Sequence, residues 1–129
     1  MHIVNLKDLK TYKFNAHGGK GEISMKFSFE ELKGTNMWSF FAYAELPVGA
    51  TSGYHKHEGN DEWFMVLSGK AKINIDGEVK EIKKGDCILT RDGSSHGITD
   101  VTETLKFIAV EVNKHERPKP FIQEDTNNE

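Results

Sequence analysis

The sequence predicts an all-β fold, a sandwich or a barrel, with scarcely any helix. Three observations carry this prediction. Strand-like runs recur between glycines and prolines at residues 38–46, 62–68, 70–76, 78–83, 87–90 and 104–112. Ala71, Ile73 and Ile75 alternate with Lys72 and Asn74, the pattern of a strand with one wet face. Asp76-Gly77 follows at once, a pair that favours a tight hairpin turn before Val79.

In chain order, residues 1–36 read as an N-terminal arm of short strands with a glycine-rich loop, His17-Gly18-Gly19-Lys20-Gly21. Its best helical stretch is a single turn at Phe29-Glu30-Glu31-Leu32-Lys33, ahead of Gly34. Residues 37–113 hold the strand-rich core, in which Lys84-Gly85-Asp86 marks a further turn. Residues 114–129 form a polar, proline-bearing tail whose last six residues lack the apolar area to offset ordering entropy, while Phe121-Ile122 can dock on the core.

Parity in the run from Glu62 places Glu62, Phe64 and Val66 on one face and Trp63, Met65 and Leu67 on the other. Both faces are apolar, so the second needs a cover: the other sheet layer, the N-terminal strands or another subunit. A homodimer is the expectation, and cover by residues 1–30 of the same chain is the alternative.

At 129 residues the chain has the length of one domain, and its net charge of −3, with both signs interleaved, argues against nucleic acid or an anionic membrane surface as partner. No apolar run reaches membrane-spanning length. Cys87 is the single cysteine, so no intramolecular disulfide forms; with no apolar N-terminal h-region, a cytoplasmic location is expected. The Cys-Ile-Leu run favours a buried, inert thiol at Cys87 over a reactive one.

The chemistry concentrates between Gly49 and Gly69, where the chain reads G-x5-H-x-H-x4-E-x6-G. Residues two apart on a strand share a face, so His55 and His57 can present imidazoles side by side, and Tyr54 points away. A Glu58-Gly59-Asn60-Asp61 turn then returns Glu62 on a neighbouring strand. Two imidazoles and a carboxylate suit a divalent transition metal. Gly53 relieves crowding beside His55 in this reading, and lone histidines such as His2 and His115 are surface residues.

A second block, from Gly85 through Gly93 to His96 with Asp100 beyond it, completes a resemblance. The two blocks resemble the paired motifs of the cupin superfamily, the first at every defined position and the second at Gly85, Gly93 and His96. Arg91 stands where the family usually has proline, and Asp100 where it usually has asparagine. The resemblance implies an antiparallel double-stranded β-helix, or jelly-roll barrel, with His96 as fourth ligand beside His55, His57 and Glu62. One divalent ion per chain is then expected, with Fe, Mn, Ni and Zn as candidates, and about two coordination positions stay open for chemistry.

The implied function is metal-dependent action on a small organic substrate, by dioxygenase or Lewis-acid isomerase or lyase chemistry. The alternative is a non-catalytic module that binds a sugar or another metabolite. Four residues are candidate substrate contacts. Phe64 shares a face with Glu62. Arg91 precedes His96, where it either grips an anionic substrate or forms a surface salt bridge with Asp86 or Asp92. His17 and Lys20 either lie over the barrel mouth, as base and anion contact, or belong to a plain surface loop. Phe40, Phe41 and Tyr43 are core or pocket-wall aromatics.

Overall fold

Two long strands, β5 (Asn60–Ile75) and β8 (Ser95–Asn113), run antiparallel along most of their length and form the spine of the molecule. A computed structural model describes residues 1–33 and 38–114. The boundary expected at residues 36 and 37, the docking of Phe121-Ile122, His115 and the last six residues lie outside that range. Around the spine stand β1 (Tyr12–Phe14), β2 (Ile23–Ser28), β3 (Trp38–Leu46), β4 (Ser52–Lys56), β6 (Glu78–Lys83) and β7 (Cys87–Thr90). Every pairing is antiparallel. Helix is confined, among the described residues, to 3-10 turns at Leu6–Asp8 and Glu30–Leu32, the second where a single turn was expected.

Each spine strand serves two layers. The first half of β5 pairs with the second half of β8, and β7 on one side and β3, β2 and β1 on the other extend this layer. The second half of β5 pairs with the first half of β8, flanked by β6 and β4. The result is the antiparallel double-stranded β-helix, a jelly-roll.

The runs at 62–68 and 70–76 are therefore one strand, bent by register shifts between Val66 and Lys72. Gly69 makes the bend possible: its φ is +97°, and a Cβ there would collide with the carbonyl oxygen of Thr104. A glycine that reads as a strand end is here a bulge. The 104–112 run likewise extends back to Ser95 through Asp100, whose φ of +51° is a conformation that aspartate and asparagine both tolerate.

Between the layers lies the core, with Ala44, Leu46, Val66, Ala71, Leu105 and Phe107 all buried. Burying a side chain such as Leu46 or Leu105 contributes about 1.5–3 kcal/mol each. Alternation sets the faces: Glu62, Phe64 and Val66 are buried, while Trp63 and Met65 are half-buried and Leu67 is exposed. The same alternation in β7 turns Ile88 toward the core and leaves Cys87 and Leu89 exposed. The expectation of a buried Cys87 thiol is thus corrected, because a strand of this length hides only every second side chain.

Leu89 pairs with Trp63, and Cys87 with Met65, so an apolar strip runs along the outer face of this layer. Strands β1 and β2 extend the sheet sideways beyond β3. No helix among the described residues is long and apolar enough to cross a membrane.

Candidate metal centre

His55 lies near the end of β4, directly opposite His96 at the start of β8, so that register alone brings two imidazoles to one place. His57 follows β4, held by its own N–H to the Ser94 carbonyl and by Gly93 N–H donating to its carbonyl at 2.7 Å. Glu62 opens β5 and pairs with Thr90 and Glu111 in the facing layer. The carboxylate thus reaches the cluster across the barrel; β4 itself pairs with β8. One ligand atom from each of His55, His57, Glu62 and His96 falls within 4.8 Å of the others.

Burial and hydrogen bonding orient these groups. His57, Glu62 and His96 are buried. His55 Nδ1 lies 2.7 Å from the Gly53 carbonyl and His57 Nδ1 2.6 Å from Asn60 Oδ1, both acceptors, which puts the proton of each ring on Nδ1. Asn60 Nδ2 donates to the Glu58 carbonyl, which fixes the amide's orientation. Thr90 Oγ1 meets His96 Nδ1 at 2.7 Å. With Nδ1 carrying the proton in His55 and His57, Nε2 of those neutral rings is left as a lone pair, the arrangement that metal-ligating histidines adopt, and Thr90 anchors the His96 ring through its Nδ1.

Without a proton or a metal ion between them, the inward-facing atoms of the cluster repel one another. His57 Nε2 and His96 Nε2 are 3.0 Å apart and lie 3.1 and 3.2 Å from Glu62 Oε1. Atoms this close are held together by protons on the imidazoles, which then donate to Glu62, or by a metal ion among them. For metal bonds of about 2.0–2.2 Å, neighbouring corners of an octahedron lie about 3.0 Å apart and those of a tetrahedron about 3.4 Å. The atoms of His57, Glu62 and His96 thus have the spacing of neighbouring ligands at nearly right angles about a divalent ion.

The titration behaviour has the same origin. Burial by itself would raise Glu62, but hydrogen bonds from His57 and His96 overcome it and hold the carboxyl at about 2. Burial pushes His55 down to about 4. The hydrogen bond to Glu62 raises His57, against the effect of its burial.

A cavity of about 320 Å³ opens onto the four ligands. His17 stands at its rim with its ring stacked on His55, centroids 3.5 Å apart and planes 14° from parallel. Phe64 lies on the other side of the cluster, stacked on His96 at 5.3 Å. Arg91 and Lys20 are placed elsewhere. Arg91 is exposed and pairs with Asp61 at 3.6 Å, a different partner from the expected Asp86 or Asp92. Lys20 borders a separate surface hollow beside Val48 and Thr51. Its backbone joins Thr51 through hydrogen bonds of 2.7 and 2.9 Å, so the glycine-rich arm is tied along β4. Gly53 belongs to the same tie: a Cβ there would strike the His17 carbonyl, so the crowding it relieves is with the arm.

Phe40 lines the cavity, whereas Phe41 pairs with Val110 on the next strand and packs on Trp38. Sequence reasoning missed Thr90, Asn60 and Glu111. Glu111 accepts a hydrogen bond from Ser39 at 2.9 Å, lies 3.9 Å from His57 Nδ1, and is raised above the usual carboxylate range chiefly by burial. Parity could have found it, because Phe107, Ala109 and Glu111 share the inward face of β8.

Comparison with known proteins agrees with this geometry. The cupin domain model matches residues 42–111. An oxalate-binding protein from Thermotoga maritima is 38% identical over 97 residues, 74% of this chain and 80% of its own length. The crystal structure of a predicted oxalate decarboxylase from Thermotoga maritima superposes with a TM-score of 0.80 at 33% identity, covering 86% of this chain and 98% of that one. A polyketide cyclase from Streptomyces resistomycificus superposes with a TM-score of 0.73 at 24% identity, covering 97% and 89%, a likeness of fold. A match across most of the barrel, carried by a relative of this identity, settles the family: this chain is a cupin.

Proposed function

We propose that this protein is a metal-dependent enzyme that holds one divalent ion through His55, His57, Glu62 and His96 and acts on a small organic molecule beside it. The observation that carries the reading is the union of two features: three imidazoles and a carboxylate converging on one point, and a cavity of about 320 Å³ that opens onto them. A purely structural site would be closed by protein. Fe, Mn, Ni and Zn all suit a donor set of three imidazoles and one carboxylate. When bound, the ion supplies Lewis acidity toward a substrate oxygen, or redox chemistry with dioxygen if it is Fe.

The chain's own groups do the rest. Gly53 and Asn60 set the tautomers of His55 and His57 through Nδ1, and Thr90 holds the His96 ring in place through the same atom. Glu111 keeps its proton to higher pH than an exposed carboxyl and borders the cavity, so it is placed to donate to a substrate oxygen. Phe64 shields the cluster from water.

A second reading is a binding module without turnover, favoured by the relative that is named an oxalate-binding protein. Elemental analysis of protein purified without added metal, followed by oxygen-uptake and product assays over a metabolite panel, separates the two. Saturable ligand binding with no product from any panel member would leave the module. We also propose a homodimer through the strip of Trp63, Met65 and Leu89, an area whose covering by a second copy would remove exposed apolar surface from water.

A further inference from the structure

The wall of the cavity is unlike a receptor for a small dianion. Phe14, Met25, Phe27, Phe40, Phe64 and Phe107 line it. Four of these rings form two edge-to-face pairs, Phe27 on Phe40 at 5.8 Å and Phe64 on Phe107 at 5.0 Å, which fixes the wall's shape. Its volume of about 320 Å³ falls at the lower end of pockets that enclose organic ligands, roughly 300–1,000 Å³. Oxalate consists of two carboxylates and has no apolar surface to bury against such a wall.

Charge points the same way. A divalent ion with the Glu62 carboxylate leaves a single positive charge in the cluster, so a monoanionic oxygen head neutralises it. A dianion would leave one negative charge buried without a partner, at considerable cost. Among the described residues no arginine lines the cavity, and Lys33, the lysine on its lining, is an exposed residue.

Building on the metal reading above, we infer that the ligand of this site has a monoanionic, oxygen-bearing head joined to an apolar body about the size of an aromatic ring. The head meets the ion. The body occupies the space between the two phenylalanine pairs.

The test uses the metal-loaded protein and three probes: benzohydroxamate, acetohydroxamate and oxalate. Metal content is measured first, and each dissociation constant is then referred to the probe's affinity for the same ion free in buffer. The phenyl probe is expected to bind about tenfold or more tighter than the methyl probe, the size of effect expected for burying a ring, with oxalate the weakest of the three after normalisation. Phe27→Ser is expected to shrink the phenyl-to-methyl ratio toward one and to leave acetohydroxamate unchanged. If that variant does not fold, the wild-type ratio decides alone. Equal binding of the two hydroxamates, or a normalised preference for oxalate, overturns the inference and leaves the metal reading standing. A protein that takes up no ion before any probe is added overturns both.

Discussion

The imidazole of His17 lies flat on that of His55, with centroids 3.5 Å apart, although the two residues sit on separate segments of the chain. The stack is held by the backbone: Gly53 N–H donates to the Ala16 carbonyl at 2.9 Å, and Thr51 N–H to the Lys20 carbonyl at the same distance. The N-terminal arm thus lays one ring on a candidate metal ligand at the edge of the cavity.

Removing the His17 ring should loosen His55 without removing a ligand. His17→Ala is expected to weaken metal affinity by about twofold to tenfold, the range of one aromatic contact, and His17→Phe to restore most of it. Chelator competition measures both. Identical affinities in wild type and His17→Ala would show that the stack contributes nothing to the site.

Loss of a ligand should be far more severe. His57→Ala is expected to leave the purified protein nearly free of metal, whereas His2→Ala, an exposed histidine remote from the cluster, should not change metal content. Equal metal in wild type and a His55→Ala/His57→Ala double variant would remove the basis for the metal centre.

Thr90 tests the layer behind the ligands. It is buried, and its hydroxyl is the partner of His96 Nδ1. Thr90→Val keeps the shape and deletes the oxygen, so metal affinity should fall about 10–100-fold while the fold persists. Circular dichroism with metal titration would separate the two effects.

Acid should empty the site, since imidazole and carboxylate bind an ion only when unprotonated. In the metal-free protein His57 is raised by its bond to Glu62, so its proton competes to higher pH than that of an ordinary histidine and contributes stability that disappears as pH rises through its folded value. His55 acts oppositely. It resists protonation down to about 4, while an unfolded histidine takes a proton near 6.5, so the unfolded state binds more protons in this window and stability falls as pH drops through it. Glu62, held at about 2, stabilises the fold above the ordinary carboxylate range, and that contribution is lost as pH falls toward 2. Occupancy and melting temperature followed together from pH 8 to about pH 4.5 should both decline, steeply below about pH 6. Full occupancy at the acid end, or an unchanged melting temperature after chelation at neutral pH, would contradict this account.

The outer strip predicts a dimer in dilute solution, and Leu89→Glu should dissociate it, since a charge on an exposed position of β7 disturbs an interface more than a core. Light scattering of wild type and variant checks this. A monomeric wild type at micromolar concentration would leave the strip unexplained by self-association.

The sequence by itself determined the class of fold, through alternation and turn residues, and named four candidate ligands, His55, His57 and Glu62 by their spacing and His96 by the resemblance to the cupin motifs. Alternation alone assigns the faces of β5, and the spacing of His55 and His57 needs nothing beyond strand periodicity. Tertiary structure decided the rest. That Gly69 bends one strand instead of ending two depends on the Thr104 carbonyl that crosses it, a neighbour distant along the chain. That Cys87 is exposed depends on which face of β7 meets the core. Thr90, Asn60 and Glu111 became visible as supports of the centre only when register set them behind His96 and His57. His17 joined the site through hydrogen bonds of its backbone neighbours to β4, and Arg91 left it for Asp61. Local periodicity fixes which way a side chain points; what it meets there is set by strand pairing between distant segments, which no local pattern encodes.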